Sequence, residues 1–154
     1  MPLEYHHRVL ADCDPETLYR ILWLRVRVFV VEQNAAYEDL DGRDLEPGAE
    51  LLWAEEDGQV LSTVRILREP GALRIGRVAT AVAARSRGVA SELMRRALER
   101  CTELDAGAPI LLDAQAHLVP WYSRFGFEVS GERYLEDGIP HLPMRRSLES
   151  LGID

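Results

Sequence analysis

Apolar and polar positions along the chain change period several times, and each change marks an element. Asp14-Pro15-Glu16 reads as a helix start, with Asp as the cap, Pro in the first turn and an acid near the positive end of the helix dipole. Leu18, Leu22, Val26, Phe29 and Val30 then recur at helical spacing and predict the buried face. Arg25 to Phe29 also alternates as a strand does, so the pattern leaves the end of this helix open. Before it, Leu3 to Leu10 reads as a first strand with imperfect alternation. After it, Leu51–Glu55 and Val60–Leu67 flank Asp57-Gly58, a hairpin signal. Glu69-Pro70-Gly71 turns the chain into a strand from Leu73 to Thr80. A helix from about Gly88 to Leu104, a strand from Ile110 to Ala114 and a helix from about Leu118 to Phe125, stopped by Gly126, come next. Strands near Phe127–Tyr134 and Pro143–Leu148 close the order.

The sequence of elements is therefore β-α-ββ-β-α-β-α-β-β. Such mixed order predicts an α/β (α+β-like) sandwich in which helices cover one mostly antiparallel sheet. It does not fit a regular doubly wound nucleotide fold. Glu32 to Ala49 shows little periodicity, and an irregular stretch of that length often lines a binding site. No repeat, low-complexity tract or linker divides residues 1–154, so one domain is expected.

Composition narrows the setting. An apolar fraction of 47% and a charged fraction of 29% belong to an ordinary soluble protein. No apolar run approaches the roughly 18 residues that span a bilayer. The first residues lack a basic segment followed by an apolar one, so a cytoplasmic protein without a membrane partner is expected. A formal charge of −8 argues against nucleic acid as a partner and favours approach of a cationic substrate such as an amine. Cys101 falls on the apolar side of a predicted helix and reads as an inert core thiol, while Cys13 precedes a helix start. Neither cysteine, nor His6, His7 or His141, shows metal-ligand spacing, and no metal is expected.

The chemistry concentrates where the strand ending Val78-Ala79-Thr80 gives way to Arg85-Ser86-Arg87-Gly88-Val89-Ala90-Ser91. This loop opens a helix, whose first turn has unsatisfied N–H groups and partial positive charge. Gly88 removes the side chain that would keep a ligand from those groups, and Ala90 and Ser91 are small. With Arg85 and Arg87 beside it, the loop suits a pyrophosphate, although a plain solvated helix start would have the same residues.

Arg85, Gly88 and Ala90 fill the pattern Gln/Arg-x-x-Gly-x-Gly/Ala, and this segment resembles motif A of the GNAT (GCN5-related N-acetyltransferase) superfamily. The later strand from Ile110, followed by Trp121-Tyr122-Ser123-Arg124-Phe125-Gly126-Phe127, resembles the partner half of that motif. Phe29-Val30-Val31-Glu32-Gln33, Tyr37 to Gly42, Ala114 to Leu118 and Glu136-Asp137-Gly138-Ile139-Pro140-His141 resemble hallmark segments of the ElaA-type subgroup. The resemblance covers most of the chain. It implies a mixed sheet of about six to seven strands with two central parallel strands that splay apart, flanked by helices.

The resemblance also implies transfer of an acetyl group from acetyl-CoA to a primary amine of a small molecule or peptide, by direct attack with both bound. Val78, Ala79 and Thr80, with Arg85, Ser86, Arg87, Gly88, Val89, Ala90 and Ser91, would hold the co-substrate, with the backbone N–H of Val78 or Ala79 polarising the thioester carbonyl. Tyr122 would protonate the departing thiolate. For the base that takes the ammonium proton, Glu32 enters the irregular segment and His117 follows the second splayed strand. Arg65 and Arg77 either bind an acceptor carboxylate or pair with local acids. Asp39, Asp41, Glu136 and Asp137 either attract a cationic acceptor or form a solvated acidic loop. A homodimer is compatible with the superfamily's habits.

Overall fold

The computed structural model describes residues 2–147. Strand β1 spans Glu4–Arg8, shorter than the alternation suggested, because Leu10–Asp12 coils into a single 3-10 turn. Helix α1 spans Pro15–Val26, and Asp14 caps it by accepting from the backbone N–H of Glu16 at 3.3 Å and of Thr17 at 3.1 Å. The helix does not stop where its pattern blurs. It widens into a π turn over Arg27–Glu32, a form often found beside functional sites.

The deepest line along this helix is Ile21, Leu24, Arg25 and Val28. Leu18, Leu22, Val26, Phe29 and Val30 are only half-buried, so the expected face is displaced around the axis. The reason is Arg25, a charged residue that the apolar pattern set aside and that is 1% exposed.

Among the described residues eight strands make one sheet, one or two more than expected. The others are β2 (Glu50–Glu56), β3 (Gln59–Glu69), β4 (Ala72–Thr80), β5 (Ile110–Gln115), β6 (Glu128–Val129), β7 (Tyr134–Glu136) and β8 (Ile139–Arg146). Their spatial order is β1-β2-β3-β4-β5-β8-β6, with β7 also paired to β8. All neighbours are antiparallel except β4 and β5. The single strand expected over Phe127–Tyr134 is instead two short ones. Gly131 lies so close to Pro143 that a Cβ would meet the ring at 2.7 Å, and the chain leaves the ladder there. Strand β8 begins four residues before the expected Pro143, and the expected end at Leu148 lies outside the described residues.

Alternation along β2 sorts the two faces of the sheet. Leu51 and Trp53 pack with Ile21 of α1, whereas Leu52 joins Leu93, Met94, Ala97 and Cys101 of helix α2 (Val89–Leu104). The short helix α3 (Val119–Ser123) lies on the α2 side, where Tyr122 and the following Phe127 enter the same core. Each fully buried Leu or Met in that core contributes about 1.5–3 kcal/mol by leaving water. Cys101 is part of it, and burial pushes its thiol up to about 12, which makes it the inert core residue expected.

Candidate active site

The two parallel strands pair at Leu73 with Ile110 and at Arg74 with Leu111, then part. In the same stretch β4 bulges away from β3. Thr63 opposes Ala79 and Arg65 opposes Gly76, so Arg77 and Val78 together face Val64. Arg77 sits at φ 53, a left-handed conformation that a branched-off β position rarely takes without outside support. Its guanidinium supplies the support, donating to the Asp39 carbonyl at 3.1 Å and to Asp41 at 2.9 Å, and lying 4.9 Å from the centre of the Tyr37 ring.

A cavity of about 650 Å³ fills the parting. Phe29, Gln33 and Tyr37 from the π turn and the segment after it form one wall. Gly76 and Val78 on β4 and Gln115 on β5 form another. Tyr122 reaches this cavity from the opposite face of the sheet, which the separation of the strands makes possible. Its ring is 6% exposed and meets Trp121 edge-on at 5.0 Å and Phe127 at 6.3 Å. Burial pushes the Tyr122 hydroxyl up, so it stays protonated at neutral pH and is able to donate.

The irregular segment after the π turn is fastened by six charges. Arg25 donates to Asp39 at 3.0 Å and to Asp44 at 2.7 Å. Arg65 grips Asp41 with two bonds of 2.9 and 3.1 Å, and Arg77 joins Asp39 and Asp41. Burial raises the Asp41 carboxyl, but the hydrogen bonds from Arg65 and the Arg43 backbone outweigh it and bring it down to about 2. Asp39 and Asp41 thus form no solvated acidic loop, and Arg65 and Arg77 are taken by local acids. Glu136 and Asp137 line the cavity instead. A charged residue on an apolar helix line, Arg25 between Leu24 and Val28, was the sequence signal for this network.

At the other end of β4, α2 starts at Gly88, which has φ 79 and offers no side-chain cap. A Cβ there would meet nothing within 4 Å, so the helix start is open to a ligand. The surrounding arginines are already engaged. Arg85 makes two bonds to Glu32, at 2.7 and 2.8 Å, and Arg87 two to Glu56, at 3.2 and 3.0 Å. Both pairs are exposed to solvent, where salt screens them and they add little to stability. The pairing with Arg85 holds the Glu32 carboxyl below its usual range. Glu32 and His117 both lie outside the cavity lining, and His117 is exposed.

His141 lines the cavity as well; its sequence context had marked it as the end of a family-like segment without metal spacing, and had given it no role. The turn signal Asp137-Gly138 could have placed it, because that hairpin sets His141 opposite Tyr134. Far from the cavity, on the β1 edge, Glu4, His6 and Glu55 bring one ligand atom each within 4.8 Å of one another, Glu55 arriving from the neighbouring strand. None of the helices among the described residues is long and apolar enough to cross a membrane.

The family model of the acetyltransferase (GNAT) domain matches residues 9–148. The chain is 40% identical to Protein ElaA of Escherichia coli strain K12 over 148 residues, covering 94% of this chain and 95% of that one. A UPF0039 protein of Mycobacterium tuberculosis H37Rv is 42% identical over 140 residues, covering 88% of this chain and 87% of the other. The crystal structure of an acyl-CoA N-acyltransferase from Pseudomonas aeruginosa superposes with a TM-score of 0.90 at 43% identity, covering 95% of this chain and all of that one. An uncapped helix start beside two parting parallel strands, on a chain with these relatives, leads to one assignment: the protein belongs to the GNAT acetyltransferase family, within its ElaA-type group.

Proposed function

We propose that this protein transfers an acetyl group from acetyl-CoA to a primary amine of a small molecule or peptide, by direct attack while both are bound. The observation that carries this reading is the parting of β4 and β5 over a cavity that Tyr122 enters from the far face. Residues 85–91 fit the pyrophosphate of the co-substrate, because Gly88 leaves the first N–H groups of α2 uncovered. The co-substrate supplies an activated acyl group on a thiol, and the chain's own residues do the rest. Val78, Ala79 and Thr80 would align its extended arm, and the bulge would aim the Val78 or Ala79 N–H at the carbonyl oxygen. Tyr122 would donate its proton to the leaving sulfur. Holding amine and acyl group in one cavity removes most of the entropic barrier to their encounter. Glu32 is paired with Arg85 and neither it nor His117 lines the cavity, which favours a group on the cavity wall as the acceptor of the ammonium proton.

Isothermal titration with acetyl-CoA tests the reading, alongside the Arg87→Glu, Gly88→Glu double variant. Micromolar binding by the wild type, lost in the variant, is expected, with thiol release on an amine panel to follow. A folded wild type that binds no acetyl-CoA would overturn it. Binding without turnover on any amine would make the protein an acyl-CoA sensor.

A further inference from the structure

We propose that His141 is the base that takes the ammonium proton, through Nε2, an assignment that rests on the acyl-transfer reading above. His141 lies on β8 between two neighbours, paired with Gln115 at the end of β5 on one side and with Tyr134 on the other. Its ring stacks on Tyr134, with centroids 5.7 Å apart and planes 23° from parallel. Nδ1 lies 2.8 Å from the Ile139 carbonyl oxygen. A carbonyl oxygen only accepts, so Nδ1 carries the hydrogen and the neutral ring keeps its lone pair on Nε2. Stacking fixes the ring plane and the backbone contact fixes the tautomer. Those are the two things an orienting partner does for a catalytic histidine.

The alternatives on the cavity wall are poorer bases. Asp41 is committed to Arg65 and Arg77 and held near 2, and Asp113 receives a 2.8 Å bond from Arg74. Glu38, Glu136 and Asp137 add negative charge that draws an ammonium group into the cavity. A carboxylate is nonetheless a weaker base than imidazole by roughly two pKa units, and so a worse match to an alkyl ammonium. The titratable groups on the elements around His141 are Tyr134 and Glu136 on β7, Asp137 in the turn, Asp113 on β5, His117 after it and Tyr122 on α3.

The protons balance as follows. Nε2 takes one proton from the ammonium, and the freed lone pair forms the C–N bond as the C–S bond breaks. The departing sulfur takes the Tyr122 proton, the second nitrogen proton restores Tyr122, and the proton on His141 leaves to solvent.

The test is His141→Asn, whose amide N–H stands near the place of Nδ1 and can keep the Ile139 contact while removing the base. Turnover is measured against pH with an alkyl amine and with an aromatic amine, which is already neutral near pH 7. Acetyl-CoA affinity is measured in parallel. With the alkyl amine, the variant should lose about 100-fold or more near neutral pH, and its remaining rate should climb with pH toward the amine's own pKa, as expected when only amine that is already neutral reacts. With the aromatic amine it should stay within about threefold of wild type, and its acetyl-CoA affinity within about twofold. An unchanged rate with the alkyl amine, or an equal loss with both amines, would overturn the assignment. Absence of acetyl-CoA binding by the wild type would instead remove the acyl-transfer reading, a result independent of the variant.

Discussion

Removing one oxygen atom separates chemistry from packing at Tyr122. Tyr122→Phe keeps the ring between Trp121 and Phe127 and deletes only the group that would protonate the thiolate. The expected outcome is a fall in kcat of about 100-fold, with acetyl-CoA affinity within about twofold. Folding stability should stay within about 1 kcal/mol of wild type, read by denaturant unfolding. A wild-type kcat would mean that Tyr122 serves the core alone. Its hydroxyl is suited to donation because burial keeps it neutral. The same effect at Cys101 takes a thiol out of use, which shows that burial selects function only where a cavity gives access.

Among the elements, the segment between the π turn and β2 depends most on charge. Arg25, 1% exposed, holds Asp39 and Asp44 together, and Arg25→Ala leaves these buried carboxylates with only Arg77 and Arg65 against them. A loss of about 3–5 kcal/mol is expected, read by urea unfolding. The folded Asp41 carboxyl, at about 2, lies below its ordinary 3.8. Its contribution is therefore complete above roughly pH 4–5 and fades as pH falls toward 2, so acid melts should begin at this segment. Hairpin turns, the cap of α1 and the glycine start of α2 were legible in the sequence because each rests on local backbone chemistry. The offset of the α1 face was not, since Arg25 becomes a core residue only when aspartates distant in sequence arrive. The division of the expected strand at residues 127–134 depends likewise on Pro143 meeting Gly131. In the site, the cradle and Tyr122 stood out as contiguous motifs. His141 gains its meaning only from the pairing of β8 with β5 and β7.

For the whole molecule, the formal charge of −8 sets the long-range field. A cationic amine should be drawn in at low salt. Its kcat/KM is expected to fall about threefold or more between 20 and 500 mM salt, while that of a neutral aromatic amine stays level. Equal salt dependence for both would assign the effect to the co-substrate's phosphates. The sheet itself has an unusual perimeter. Because β4 and β5 stay joined for only two residue pairs, backbone from residues 75–80 and 112–115 lacks a strand partner on its inward side. Unpaired rims on a protein surface invite other chains to dock and aggregate. Here two such rims are lodged inside, under Leu24 of α1 and Val28 of the π turn and beside Tyr122 of α3. The protein is in this sense a sheet one strand short, and on the acyl-transfer reading proposed here the arm of the co-substrate, with amides of its own, would stand in for that strand.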